Sequence, residues 1–137
     1  MKSSAAHLTQ ATQNRQFHDE LCTSYPDHYY DWKVTVCFYE ALHYLDSYCC
    51  EKGETSLNTH RKREIQLNPR NQSEGLKLSN GAWNLYSFLL EESKKARYDG
   101  FIDYDHFMEM KRNDHSNCII ALQKLKEYFK SKGVILD

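Results

Sequence analysis

The chain has 137 residues, a net charge of -1 and five cysteines, and these values limit what it can be. The length is that of one ordinary domain, so we expect a single domain over residues 1–137 whose core needs neither disulfides nor a structural metal. A charge near zero excludes a polycation that binds nucleic acid over its whole surface, so any basic site must be local. The sequence indicates no C-x-x-C pair, signal peptide or membrane span, and we therefore expect reduced thiols in a cytoplasmic protein.

The first two predicted helices cover residues 5–22 and 27–52, with a break near Pro26 because proline disfavours the helical conformation in the residue before it. The first has a weak apolar face made by Leu8, Ala11, Phe17 and Leu21. The second has the spacing of a buried face at Val34, Cys37, Phe38, Ala41, Leu42, Leu45 and Cys49. Beside that face runs a second stripe of Trp32, Val36, Tyr39 and His43. A helix with two such faces is expected at the centre of its bundle.

The rest of the chain adds two main helices and a short one. Residues 58–67 are compatible with a short helix inside the polar region 54–80. Residues 81–97 form a helix with the inward residues Ala82, Leu85, Tyr86, Leu89 and Leu90, and residues 114–132 form one with Cys118, Ile119, Leu122, Leu125 and Phe129. Phe107, Met108 and Met110 could add a turn before the last helix. Because no stretch alternates with period two, we predict an all-α fold, a four- to five-helix bundle.

Four polar residues stand where chemistry is most expected. His43 interrupts the second stripe of the central helix, Arg97 extends the apolar stripe of the 81–97 helix, and His60 and Arg63 share one face of the short helix. Each also has a structural explanation. His43 could be a hydrogen-bonded core histidine, Arg97 could satisfy the carbonyls that end its helix, and residues 60–63 could be a solvated basic face.

Together these residues suit the chemistry of RNA. Arginine donates a planar fork to phosphate oxygens, and histidine transfers protons near neutral pH. Cleavage through the 2′-hydroxyl needs a base, an acid and a cation, and no metal. A basic group compatible with phosphate contacts consists of Arg61, Lys62, Arg63, Arg70, Lys94, Lys95 and Arg97. The seven histidines lack metal-ligand spacing and the glycines are isolated, so we expect neither a metal nor a cofactor.

Several short motifs occur in order: Asp31-Trp32, the run from Phe38 to His43, His60-x-x-Arg63, Tyr86-x-x-Leu89, and Ser93-x-x-Ala96-Arg97-Tyr98. In this order they resemble a divergent HEPN-like family of bacteria and archaea over residues 14–104. The resemblance implies a four- to five-helix bundle that forms a homodimer with a cleft at the interface. Many HEPN domains are metal-independent ribonucleases of toxin–antitoxin, CRISPR or phage-defence systems. Others bind RNA, nucleotides or partner proteins without catalysis.

The chain departs from the usual HEPN catalytic motif at one important position. Arg97 and Tyr104 match the arginine and tyrosine of that motif, but Ile102 stands where the histidine is expected and Tyr98 stands at the polar position. Because isoleucine cannot transfer a proton, either catalysis is lost or His43 and His60 supply it. The candidate catalytic residues are His43, His60, Arg63 and Arg97, and the candidate binding residues are Tyr39, Arg61, Tyr98 and Tyr104.

Three functions compete at this level. The first is an RNA-binding or RNA-cleaving domain in a toxin–antitoxin or phage-defence setting. The second is a non-catalytic dimerisation or interaction module for a protein encoded by a neighbouring gene. The third is a small-molecule sensor that uses the tyrosine-rich interior as a pocket. Convergence of His43, His60, Arg63 and Arg97 around a basic cleft would favour RNA, and their dispersal would favour the interaction module.

Overall fold

The computed structural model describes residues 3–98 and 104–136, without the side chains of residue 98 and of residues 104–110. Five helices follow one another: α1 (Ser4–Ser24), α2 (Tyr30–Glu51), α3 (His60–Leu67), α4 (Asn80–Tyr98) and α5 (Tyr104–Ser131). Neither of the two described ranges contains a strand. The predicted all-α, four- to five-helix bundle is therefore confirmed. Within the same ranges, we find no helix with the length and apolar character needed to cross a membrane.

The helix ends follow from local chemistry. Ser3 Oγ accepts a hydrogen bond from the Ala6 amide at the start of α1, and Thr59 Oγ1 accepts one from the Lys62 amide at the start of α3, both over 3.1 Å. These bonds satisfy amides that have no partner inside the helix. Gly53 and Gly133 follow the ends of α2 and α5 with φ of 81° and 92°, a conformation that costs glycine little.

Two predicted boundaries differ from the observed ones. α2 begins at Tyr30 and not near residue 27, because Tyr29 adopts a left-handed conformation with φ of 60°. α5 begins at Tyr104 and not near residue 114, so the expected extra turn belongs to one continuous helix. Lys111 and His115 are both buried on α5, so polar side chains lie on the inner face of the first half of this helix. Polar residues in the sequence therefore concealed the first turns of this helix.

α2 is the central helix, as its two apolar stripes predicted. It packs against α1, α4 and α5, and α4 also packs against α5. Its buried side chains, including Val34, Phe38, Ala41 and Leu45, meet those of the surrounding helices in one core. The short helix α3 adds Leu67 to this core and holds Arg63 against α2.

Four residues assigned to apolar faces are exposed instead: Phe17, Trp32, Tyr39 and Ile119 are 48%, 55%, 37% and 44% exposed. At about 100° per residue, Trp32 and Tyr39 lie well over 100° around α2 from its buried face, whereas Phe17 and Ile119 lie roughly 80–90° from the centres of theirs, at the edge of the buried face. On α1, for example, the buried stripe is made by His7, Ala11 and Leu21. The apolar side chains at the surface are therefore available for contacts outside the bundle.

Candidate nucleic-acid interface

A polar stripe on α2 organises the candidate site. Tyr39, His43 and Asp46 are spaced by four and three residues and so share one face of the helix. Each of them meets a side chain from another helix: Tyr39 meets Arg97 of α4, His43 meets His7 of α1, and Asp46 meets Arg63 of α3. This face of α2 is therefore where α1, α3 and α4 place their polar groups.

Arg63 and Asp46 form a two-pronged ion pair. Arg63 Nε donates to Asp46 Oδ1 over 3.1 Å, and Arg63 Nη2 donates to Asp46 Oδ2 over 3.0 Å. The two side chains are only 8% and 14% exposed, so the charges are largely removed from water. A pair of this geometry fixes α3 to α2 and commits the Nε side of the Arg63 guanidinium to Asp46. Arg63 thus holds the site together, and its guanidinium is only partly accessible to a ligand.

His60 is exposed at the start of α3, beside two aromatic rings of the core. Its ring centroid lies 5.7 Å from that of Phe38, and its Nδ1 lies 3.4 Å from the Tyr86 hydroxyl oxygen. Partial burial, and then the positive charges of Arg63, Lys94 and Arg97, lower the pKa of His60 below its usual value. The imidazole is therefore neutral at neutral pH and lies in a region of positive potential.

Arg97 extends from the end of α4 across to α2. Its Nε donates to the Ser93 carbonyl oxygen over 3.2 Å, and its Nη1 donates to the Tyr39 hydroxyl oxygen over 3.3 Å. The first bond is the helix-end contact that the sequence suggested as the structural explanation of this residue. The second connects two candidate site residues. A cleft of about 180 Å³ lies beside Arg97 and is lined by Asp31, Trp32, Thr35, Ala96 and Arg97.

A wider groove lies between α3 and α4, with a volume of about 440 Å³. It brings together one candidate histidine, two cations and two acidic residues. Lys94 also donates to Glu91 over 3.3 Å, so part of the positive charge here is balanced within α4. The lining residues are His60, Arg61, Glu64, Trp83, Ser87, Leu90, Glu91 and Lys94.

His43 belongs to a different part of the stripe. Its Nδ1 lies 3.1 Å from His7 Nδ1, and the two rings are 5.3 Å apart. The His7–His43 pair and Asp46 have possible metal-ligand atoms within 4.8 Å of one another. Burial, and then the positive charges of Arg63 and Arg97, lower the pKa of His60, so these three candidates are electrostatically coupled. His43 is close to Asp46, the ion-pair partner of Arg63. Position 102 of the HEPN-like motif lies outside the described residues, as do the side chains of the candidates Tyr98 and Tyr104.

Sequence reasoning missed the partners of the candidate residues. His7 and Asp46 stood out in no pattern, since each is one polar residue on a helix with many. Trp32 was assigned to an apolar stripe, yet its side chain is 55% exposed and lines the same cleft as Arg97. An exposed tryptophan next to an arginine is a signal that becomes readable only when the packing is known.

The chain matches no protein-family model, no curated protein and no solved structure. The HEPN-like resemblance rests on its own motifs, which lie on three helices. Asp31-Trp32 and the run from Phe38 to His43 are on α2, His60 and Arg63 are on α3, and Tyr86 to Arg97 are on α4. These three helices are the ones that build the candidate interface.

Proposed function

We propose that the protein binds single-stranded RNA at a surface formed by α2, α3 and α4. This surface, called here the α2–α4 surface, consists of Trp32, Tyr39, His60 and Arg97, with Arg61 and Lys94 at its edge. The proposal agrees with the HEPN-like resemblance, in which a helical bundle acts on or binds RNA. It also agrees with the net charge of -1, because the basic groups are gathered locally.

One observation carries the proposal: exposed aromatic rings and cations alternate along the α2–α4 surface. Trp32 and Arg97 line the same cleft, and Arg97 donates to the hydroxyl of Tyr39, which is 37% exposed. His60 is exposed at the start of α3, and the charges of Lys94 and Arg97 act on it. Unstacked bases pack on aromatic rings while phosphates contact cations, so this alternation has the chemistry of a single-stranded segment.

His60 gives the α2–α4 surface a group that can transfer a proton. The Tyr86 hydroxyl keeps its proton, since burial raises its pKa well above the ordinary value. That hydroxyl lies within hydrogen-bond distance of His60 Nδ1, which leaves Nε2 as the ring nitrogen for a ligand. A neutral imidazole within the electrostatic reach of Arg97 favours RNA cleavage as a second function, with His60 in place of the absent motif histidine.

Binding is tested by fluorescence anisotropy with a labelled single-stranded RNA at several salt concentrations. Arg97→Ala should weaken binding and reduce the slope of log K against log salt by about 0.7, the value for one phosphate contact to a single strand. Trp32→Ala should cost about 1–3 kcal/mol, as expected for one stacked base. Cleavage is tested by incubating the same RNA with a chelator present, and His60→Gln should abolish any cleavage observed.

The controls are an exposed cation and an exposed aromatic residue on other faces of the bundle. Lys124, exposed on α5, is the control for the charge, and Phe17, 48% exposed on α1, is the control for the aromatic ring. Lys124→Ala and Phe17→Ala should leave both affinity and salt slope close to those of the wild type. If these controls weaken binding as much as Arg97→Ala and Trp32→Ala do, RNA binds elsewhere. If neither the wild type nor any variant binds RNA, and the wild type instead forms a complex with a partner protein, the interaction-module function replaces this one.

The HEPN-like resemblance adds the expectation of a homodimer, with an interface made by the same patch on both subunits. Light scattering should then give twice the 16.2 kDa of one chain. A mass near that of the single chain at high micromolar concentration would contradict the expectation.

A further inference from the structure

Away from the α2–α4 surface, three side chains from α1 and α5 direct metal-ligand atoms to one point. His18 and Cys22 lie one turn apart on α1, and His115 lies on α5. His18 Nε2 is 2.8 Å from His115 Nε2, and Cys22 Sγ is 3.6 Å from His18 Nε2. All three ligand atoms lie within 4.8 Å of one another. This convergence joins the first helix of the fold to the last.

The separations are close to those of a tetrahedral zinc site. Zinc bonds of about 2.0 Å to nitrogen and about 2.3 Å to sulfur place two nitrogens about 3.3 Å apart, and a nitrogen and a sulfur about 3.6 Å apart. The observed sulfur–nitrogen distance already has this value. The two nitrogens need to move apart by about half an ångström, which a small rotation of side chains on two different helices provides. We infer that His18, Cys22 and His115 bind a transition-metal ion of the Zn²⁺ class.

The surroundings of His18 agree with a ligand role. Its Nε2 is directed to the cluster, while its Nδ1 lies 3.8 Å from Asp19 Oδ1. That separation is too long for a direct hydrogen bond, but the carboxylate still attracts the imidazole N–H, and a carboxylate at the ring nitrogen that does not bind the metal commonly orients a metal-binding histidine. The ammonium of Lys33 acts on both His18 and Cys22, and it is held by the Tyr25 carbonyl oxygen. Loss of the thiol proton to solvent on metal binding gives a thiolate, which neutralises part of the combined positive charge of the ion and Lys33.

The second cluster of possible ligands is less suited to a cation. It consists of His7, His43 and Asp46. Both carboxylate oxygens of Asp46 accept hydrogen bonds from Arg63. The guanidinium therefore already neutralises the negative charge that would attract a metal ion. In the His18–Cys22–His115 cluster the thiol and the imidazole nitrogens are paired mainly with one another. The metal site is therefore assigned to this cluster and not to His7, His43 and Asp46.

Three protein ligands leave a fourth position of the tetrahedron for water or for a small exogenous ligand. His18 and Cys22 are half-buried, whereas His115 is buried, so an ion can enter from the α1 side. A bound ion would fasten α1 to α5 and stabilise the bundle, since it binds the folded state and not the unfolded chain. The site is independent of the RNA-binding proposal, because it shares no residue with the α2–α4 surface.

The test uses the full chain without a histidine tag, freed of metal by a chelator, and titrated with Co²⁺. One equivalent should produce the visible bands of tetrahedral cobalt and a near-ultraviolet thiolate-to-cobalt band. Cys22→Ser should remove the thiolate band. Substituting a residue that only supports a metal ligand typically weakens metal binding roughly 10–100-fold. His18→Gln and His115→Gln remove a ligand and should weaken cobalt binding by more than this, whereas Asp19→Asn should weaken it about tenfold.

His28→Gln is the matched control, because His28 is exposed in the loop before α2. It should bind cobalt as the wild type does. If His115→Gln fails to fold by circular dichroism, Cys22→Ser still tests the site, since serine has nearly the same shape as cysteine. Zn²⁺ should raise the melting temperature of the wild type and raise that of Cys22→Ser much less. The inference is overturned if no thiolate band forms, or if Cys22→Ser binds with full strength while His43→Gln does not.

Discussion

Arg97 Nη1 donates a hydrogen bond to the Tyr39 hydroxyl oxygen over 3.3 Å and so connects the end of α4 to the outer face of α2. Both residues belong to the α2–α4 surface, where a base could stack on the ring of Tyr39 while Arg97 contacts a phosphate. The bond holds the guanidinium beside the ring before any ligand arrives. A ligand would then meet a cation and an aromatic ring that are already in position.

The two contributions of Tyr39 can be separated by mutation. Tyr39→Phe keeps the ring and removes the hydroxyl, so it should lower RNA affinity by about 0.5–1.5 kcal/mol at most, the net value of one hydrogen bond. Tyr39→Ala also removes the ring and should cost about 1–3 kcal/mol more through lost stacking. Anisotropy titrations measure both. Equal affinities for the two variants would show that the ring of Tyr39 does not stack on a base.

RNA binding should depend on pH through His60. Because the pKa of His60 is lowered, the free protein carries a neutral imidazole at pH 7. A phosphate favours the protonated form and raises that pKa in the complex. The affinity should therefore rise as the pH falls from 7.5 towards 5.5, by at most about tenfold per pH unit for one proton.

The control for this pH dependence is His60→Gln, which cannot be protonated in that range. Its affinity should change with pH much less than that of the wild type. A variant with the full wild-type pH dependence would place the responsible proton on another residue.

The ion pair between Arg63 and Asp46 should be important for stability. Asp46→Ala leaves a guanidinium that is only 8% exposed without its carboxylate, so it should lower the free energy of unfolding by about 3–5 kcal/mol. Arg63→Met removes the other partner. The double variant Arg63→Met/Asp46→Ala should lower the free energy of unfolding by less than the sum of the two single variants. Urea unfolding gives all three values.

A surface pair on α4 provides the comparison. Lys94 and Glu91 are 49% and 63% exposed, and solvent screens their attraction. Glu91→Ala should change the free energy of unfolding by less than about 1 kcal/mol. If Asp46→Ala is no more destabilising than Glu91→Ala, the Arg63–Asp46 pair does not hold α3 to α2.

The position of α2 at the centre of the bundle predicts a large cost for truncating its inner face. Leu45 is fully buried, so Leu45→Ala should lower the free energy of unfolding by about 2–5 kcal/mol through lost transfer energy and a cavity. Ile120 is 54% exposed on α5, and Ile120→Ala should cost far less. Urea midpoints that are equal for the two variants would contradict the placement of α2.

The sequence predicted the bundle because helical periodicity shows which apolar residues share one face of a helix. Val34, Phe38, Ala41 and Leu45 recur on one face of α2, and that face is the core. The same reasoning failed for Trp32, since periodicity shows that a residue shares a stripe and not whether another helix covers that stripe.

The contacts of the candidate site depend on how distant segments pack, which a single sequence does not reveal. Nothing in the sequence distinguishes Asp46 from a surface carboxylate, and its contact with Arg63 depends on how α3 packs against α2. His18 and His115 are on the first and last helices, so no ligand spacing could connect them. The residues of the α2–α4 surface were partly identified from the sequence, whereas their partners were not.

The most direct test of the RNA-binding proposal is to map where RNA touches the protein. A single-stranded RNA containing 4-thiouridine is crosslinked to the full chain by light, and the modified peptides are identified by mass spectrometry. Crosslinks should occur in the peptides that contain Trp32, Tyr39 and Arg97, and they should disappear at high salt. Crosslinks confined to α5 or to the outer face of α1 would contradict RNA binding at the α2–α4 surface.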